Sequence, residues 1–175
     1  MRGGEKKEKF MTALKRGFTL IELLIVIAIL GVLAVVVLVA INPVQQLGRA
    51  RDSGRISTVA QLGHAFEAFY TSHNGVYALD FAELVAAGEI TQVPSLVNNT
   101  LNLPVCTGGD DAVNGWCYDE VTTSFAVWSR LEADTNLTLG ACTTDAYTAY
   151  LSLAGRACVG CTEPSGAPTV AWCVN

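Results

Sequence analysis

The chain has 175 residues, of which 51% are hydrophobic and 15% are charged, and its formal net charge is -5. This apolar content excludes an intrinsically disordered chain, and the length allows one compact domain with an appendage. Charge is distributed unevenly, because residues 1–17 carry a net charge of +4 and residues 18–175 carry −9. Such an acidic body repels a phosphate backbone, so we expect no direct binding to nucleic acid.

The first predicted element is an apolar helix over residues 18–41. Only Thr19, Glu22 and Gly31 in this run of 24 positions lie outside the apolar set. A helix of this length reaches about 36 Å, which is enough to cross a bilayer. Basic residues crowd its N-terminal flank, so the positive-inside rule places the N-terminus in the cytoplasm and the chain after Ile41 outside.

An ordinary secretory signal is the alternative for this segment, with cleavage near Leu38 and Ala40 and release of a disulfide-rich domain. The apolar run argues against it, because it exceeds the roughly 7–15 residues of a signal core. Glu22 also argues against it, since a carboxylate in a membrane helix costs at least about 2.5–3.5 kcal/mol and needs a partner. The apolar run contains no Lys or Arg, so the partner must come from outside it.

A short motif marks the start of the apolar run. The sequence Lys15-Arg16-Gly17 is followed by Phe18-Thr19-Leu20-Ile21-Glu22, so a basic leader ends in Gly and Glu is the fifth residue after it. This pattern resembles the N-terminal processing motif of type IV prepilins and type II secretion pseudopilins. The resemblance is close over roughly residues 15–45 and looser to about residue 70.

The resemblance implies a precursor that a prepilin peptidase cleaves between Gly17 and Phe18, followed by N-methylation of Phe18. Residues 1–17 would be a cytoplasmic leader, and the apolar helix would stay with a single-pass protein of the bacterial inner membrane. The implied partners are the peptidase and methyltransferase, an inner-membrane assembly platform and copies of this or related pilins. The implied function is a structural subunit of an extracytoplasmic pilus or pseudopilus, with no cofactor, no resident metal and no catalytic residues.

Glu22 is predicted to be an assembly residue. Cleavage after Gly17 exposes an amine on Phe18, and this amine supplies the missing cation when the helices of neighbouring subunits pack together. Packing of Leu, Ile and Val is nearly insensitive to axial register, whereas breaking a desolvated ion pair costs roughly 3–5 kcal/mol. A pair between Glu22 of one subunit and Phe18 of another would therefore fix the register.

Residues 42–70 are predicted to continue the helix as an amphipathic segment. We expect Gly31 and Pro43 to kink it, with local unwinding near residues 39–43, because Pro43 removes a backbone donor. A simple boundary between membrane helix and head is the alternative. Apolar residues at helical spacing would face the head domain: Val59, Leu62, Phe66 and Phe69.

The head domain is predicted to span residues 71–175 outside the membrane. Asp80 and Glu83 have the spacing of a capping box and predict a short helix that Gly88 ends. Alternating residues predict strands over residues 116–121, 124–131, 146–153 and 169–174. A small antiparallel sheet packed on the second half of the long helix gives a pilin-like α+β fold.

The cysteines are predicted to form disulfides, because all of them follow the membrane segment and face an oxidising compartment. They are Cys106, Cys117, Cys142, Cys158, Cys161 and Cys173. We expect Cys106 and Cys117 to close a loop around Asn114-Gly115, and the other four to tie the C-terminal region together. A zinc or redox role for the Cys158-Val-Gly-Cys161 spacing is the alternative, and it lacks the usual second ligand pair.

Two further groups of residues are candidates for binding. The acidic loop offers oxygen ligands for calcium but misses the EF-hand spacing, so a solvated loop is the alternative; its candidates are Asp110, Asp111 and Asp119. A minor pilin that acts as a tip adhesin would present a concave aromatic surface, whereas aromatic residues are more often core. The aromatic candidates are Trp116, Trp128, Tyr147 and Trp172.

Overall fold

The computed structural model describes residues 17–95, 106–139, 142–164, 166 and 170–174. The chain divides into two compact units between Asn42 and Pro43. The predicted leader lies outside the described residues, except for Gly17.

The first unit contains one α-helix, α1 (Leu20–Ile41), which buries none of its side chains. By length and composition α1 can cross a membrane, and it is the one such helix among the described residues. Its last residue is Ile41, and the C-cap residue Asn42 has φ of 46° and ψ of 77°, in the left-handed region. Proline disfavours the right-handed helical conformation in the residue before it, so Pro43 explains this interruption. The helix is continuous through Gly31, and a kink at that residue stays a prediction.

The second unit, residues 43–175, is built on α2 (Pro43–Ser72). Pro43 occupies the first helical position, where the missing N–H costs nothing. The predicted apolar stripe is confirmed, because Val59, Leu62, Phe66 and Phe69 are all buried. The helix is followed by a turn in which Asn74 and Gly75 both have positive φ.

Five strands form an antiparallel sheet in sequential order. They are β1 (Asp111–Val113), β2 (Trp116–Val121), β3 (Ser124–Arg130), β4 (Tyr147–Leu151) and β5 (Arg156–Gly160). Asn114 and Gly115 join β1 to β2 with φ of 54° and 83°, the backbone that a tight hairpin requires. Thr122 and Thr123 form the exposed turn between β2 and β3. The antiparallel sheet and the long helices confirm the α+β fold.

The prediction of a last strand over residues 169–174 is wrong. Val170–Trp172 instead form a short 3-10 helix, and Val174 makes an isolated bridge to Val159 of β5. The indole of Trp172 lies against Gly160, where an added Cβ would come within 2.4 Å of the ring. The Trp172 ring thus covers Gly160 of β5, and the segment pairs with this edge strand at the Val174 bridge instead of forming a sixth strand.

The sheet packs between two layers. On one face, α2 and α3 (Phe81–Ala87) form the larger core, in which the rings of Phe66 and Tyr118 stack with centroids 3.9 Å apart. Asp80 caps α3 by accepting a hydrogen bond from the Glu83 N–H at 2.7 Å. On the other face, Trp128 and Leu151 pack with the segment that contains Trp172.

Three disulfides join all the cysteines. The expected Cys106–Cys117 pair is confirmed, and the other four form Cys142–Cys161 and Cys158–Cys173. Cys158 and Cys161 therefore have different partners, which contradicts the zinc or redox alternative for their spacing. A further helix, α4 (Asp134–Leu139), follows β3 and had no prediction from the sequence.

Candidate processing and assembly site

Glu22 and Thr19 form a capping box at the start of α1. The Glu22 carboxylate oxygen Oε2 accepts hydrogen bonds from the Thr19 N–H and the Thr19 Oγ1 hydroxyl, both at 2.8 Å. In return, the Glu22 N–H donates to Thr19 Oγ1 at 3.3 Å. The prediction for Glu22 did not include Thr19 as a partner, although their spacing in the sequence is typical of a capping box.

The capping box explains how the isolated chain keeps an acidic side chain in an apolar segment. Thr19 supplies two donors from within the same chain, so the carboxylate is partly satisfied before any other chain arrives. The second oxygen, Oε1, accepts no hydrogen bond from the described residues. The carboxylate can therefore take an external cation without giving up Thr19.

The peptide bond between Gly17 and Phe18 lies just before this box. Phe18 is 82% exposed, and an added Cβ at Gly17 would meet no described atom within 4 Å. Both residues precede the first helical residue, Leu20, so their backbone is not part of the helix. An enzyme can therefore reach this bond without unfolding α1.

The surface of α1 is apolar on all sides. Four consecutive apolar residues, Leu24, Ile25, Val26 and Ile27, are all exposed, and they lie about 100° apart around the helix axis. A helix that is hydrophobic all round is stable only in lipid or among other apolar helices. This surface, together with the capping box, defines the candidate assembly site.

The acidic candidates for calcium binding accept hydrogen bonds from backbone N–H groups, and Asp111 and Asp119 lie in strands β1 and β2. Asp111 Oδ2 accepts from the Phe81 N–H at 3.0 Å, and Asp119 accepts from the N–H of Gly166. Burial raises the pKa of Asp119, and the nearby Asp110 carboxyl raises it further. In the part of the chain that the structure describes, no three His, Cys, Asp or Glu residues lie close enough to hold a metal ion.

The aromatic candidates for a binding surface lie mostly in the interior. Trp116, Trp128 and Tyr147 are buried, and Trp172 is half-buried against Gly160. The expectation that these aromatic residues are core is confirmed for the three buried ones, and the alternative of a concave aromatic surface does not hold for them. Their contribution is to the two cores on either side of the sheet.

Comparison with known families identifies one segment. A family model described as the prokaryotic N-terminal methylation motif matches residues 13–38, which include Gly17, Phe18, Glu22 and most of α1. No curated protein and no solved structure matches the chain. The matched segment coincides with the accessible bond, the capping box and the apolar helix. The chain thus carries the N-terminal signature of type IV prepilins and pseudopilins, on a disulfide-bonded α+β body.

Proposed function

We propose that this protein is a structural subunit of a type IV pilus or a type II secretion pseudopilus. The methylation motif supports this proposal, because it opens a helix that buries none of its side chains in its own chain. Such a helix needs lipid before assembly and other helices afterwards. The subunit therefore exchanges one apolar surrounding for another when it polymerises.

The proposed processing step is hydrolysis of the bond between Gly17 and Phe18. Water adds a hydroxyl to the Gly17 carbonyl, and the Phe18 nitrogen leaves as an amine that the partner enzyme then methylates. The exposure of Phe18 and the open space around Gly17 support this step. The chemistry belongs to the prepilin peptidase and methyltransferase, and this chain is their substrate.

The proposed topology assigns four segments. Residues 1–17 are the cytoplasmic leader, 18–41 cross the inner membrane, 42–70 extend the helix and 71–175 form the extracytoplasmic head. The basic N-terminus and the three disulfides support this orientation. The assembly platform would then extract the processed subunit from the membrane into the fibre.

Glu22 is the proposed register residue. In the lone subunit its carboxylate holds Thr19, and in the fibre Oε1 would pair with the Phe18 amine of a neighbour. The hydrogen bonds support the assignment of one carboxylate oxygen to Thr19 and the other to the amine, because Oε2 alone accepts both hydrogen bonds from Thr19. A charged pair among apolar helices has one favourable axial position, whereas the apolar contacts have many.

Mass spectrometry of the mature N-terminus tests the processing step. We expect the purified membrane form to begin at methylated Phe18. A mature chain that begins near Ile41, secreted without the apolar helix, would support an ordinary signal peptide and overturn the proposal. Electron microscopy of sheared fibres, labelled for this chain, would separate a surface pilus from a pseudopilus.

The variants Glu22→Gln and Thr19→Ala test the two roles of the capping box separately. Glutamine can still accept from Thr19 but cannot pair with an amine, so we expect normal cleavage and loss of fibres. Thr19→Ala keeps the charge and removes one donor, so fibres should still form. Normal fibres from Glu22→Gln would contradict the register assignment.

A further inference from the structure

A buried cluster of charged side chains lies near the start of α2, outside the proposed assembly site. Arg55 Nη1 contacts Asp52 Oδ1 at 2.6 Å and Glu132 Oε1 at 3.4 Å, and Arg51 pairs with Glu132 as well. Asp52 and Arg55 are each only 1% exposed. Charged side chains are rarely buried this completely unless they are paired, as these are.

Asp52 makes more contacts across this junction than its ion pair with Arg55. Its carboxylate accepts hydrogen bonds from the Glu132 N–H at 3.1 Å and the Ala133 N–H at 2.9 Å. The Asn136 side chain also donates to it. One carboxylate therefore connects α2 to the backbone that leads into α4, although the two segments are about 80 residues apart in the chain.

The first turns of α2 have no apolar core of their own. The buried stripe begins at Val59, and the buried residues of α2 before it are Gly48, Asp52 and Arg55. Gly48 packs against Ala133, and the exposed hydrogen bond from Gln45 Nε2 to Asp134 Oδ2 at 2.7 Å adds a polar contact with α4. Residues 43–55 are therefore held mainly by polar contacts, and Asp52 is at their centre.

We infer that Asp52 is a positioning residue that fixes residues 43–55 to the β3–α4 segment. Hydrogen bonds to two consecutive backbone N–H groups allow one position of the helix, whereas apolar contacts would allow it to slide or rotate. The inference rests on the proposed function in one respect: these turns follow directly after the assembly helix. Asp52 thereby makes them move with the sheet when the subunit enters a fibre.

Hydrogen exchange on the full-length chain in detergent micelles tests the inference. We expect Asp52→Ala to speed exchange of the amides of residues 44–55, Glu132 and Ala133 at least about tenfold. The amides of residues 59–69 should keep their protection, because their apolar core is unchanged. Asp134→Asn is the matched control at the same junction, and we expect it to change neither segment.

The variant Asp52→Asn separates the loss of specific hydrogen bonds from general misfolding. Its amide oxygen can still accept from Glu132 and Ala133, but its NH2 group replaces the oxygen that pairs with Arg55, so we expect it to restore only part of the protection that Asp52→Ala loses. Unchanged exchange in residues 44–55 of Asp52→Ala would overturn the inference. Equally faster exchange across residues 59–69 and the sheet would also overturn it, because the role would then be general stability.

Fibre yield provides the second measurement. We expect Asp52→Ala to lower the yield of fibres while Phe18 is still cleaved and methylated. Failure of the proposed function is seen separately, as a wild-type chain that is never processed or assembled. The exchange result decides the role of Asp52 in either case.

Discussion

Gly63 lies where α2 packs against the ring of Tyr150 on β4. An added Cβ would come within 2.1 Å of Cγ and 2.3 Å of Cδ1 of that ring. Tyr150 cannot move away easily, because it is buried and its hydroxyl donates to Glu67 at 2.7 Å. The absence of a side chain at position 63 therefore sets how closely the helix approaches the sheet.

We predict that Gly63→Ala lowers the free energy of unfolding by about 1–3 kcal/mol, the usual cost of overpacking a core. Gly54→Ala is the matched control, because it lies in the same helix and an added Cβ meets no described atom within 4 Å. There the better helix propensity of Ala should raise stability by roughly 0.5–1 kcal/mol. Urea unfolding of both variants checks the pair, and equal stability of the two would contradict the packing of α2 on β4.

Glu163 connects its own loop to the loop of Thr107 and Gly108, on the face of the sheet that carries Trp128. Its Oε1 accepts from the N–H groups of Thr107 at 2.8 Å and Gly108 at 3.1 Å, and from the Trp128 indole at 3.2 Å. Burial acts to raise the pKa of Glu163, but the hydrogen bonds from Thr107, Gly108 and Trp128 hold it below its usual range. The charged form is therefore the one that stabilises this junction.

The pKa shift gives the pH dependence of this junction. Because the folded pKa is below the unfolded value, the contribution is complete above about pH 4.5 and is lost as the pH falls through the folded pKa. We predict that Glu163→Gln lowers the free energy of unfolding by about 0.5–1 kcal/mol near neutral pH, since the carboxylate is partly solvated. The difference from wild type should shrink in unfolding measured at about pH 3. A difference that does not change with pH would contradict the assignment.

The elements that could be predicted are those determined by residues close together in the sequence. The stripe from Val59 to Phe69 has a helical period, and Asp80 has an N-cap spacing, so neither required knowledge of the fold. Strand β5 (Arg156–Gly160) was missed although it forms a short hairpin with β4, because its residues do not alternate between apolar and polar, and residues 169–174 were assigned wrongly. Trp172 covers Gly160 and Val174 makes an isolated bridge to Val159, and the sequence pattern shows neither contact.

Only part of the candidate site could be predicted from the sequence. Glu22 was found because a carboxylate in an apolar run without Lys or Arg needs a partner, and the methylation motif at residues 13–38 includes this residue. Thr19 was missed as its partner although the spacing was visible. Asp52 could not be found, because its partners Glu132 and Ala133 are about 80 residues away and nothing in the sequence links them.

The division of the chain between Asn42 and Pro43 has a consequence for the whole molecule. The second unit contains the sheet, both cores and all the disulfides, whereas α1 buries none of its residues. We predict that a variant beginning at Pro43 stays in the aqueous phase of a detergent partition and keeps three disulfides. The full chain should enter the detergent phase.

Near-UV circular dichroism and thiol titration of the shortened variant check this prediction. An unchanged near-UV spectrum with no free thiols is expected, because the shortened chain retains every buried aromatic residue and every cysteine. A variant that aggregates or exposes thiols would show that the apolar helix contributes to folding of the second unit.

The two-residue turn at Thr122 and Thr123 is a suitable position for an epitope tag that would locate this chain on cells. Both residues are exposed, and the strands they join are already closed by the pair of Val121 with Ser124. Short insertions are tolerated best at such loop tips. A peptide epitope placed between the two threonines would let gold-labelled antibodies report where the protein resides on intact cells.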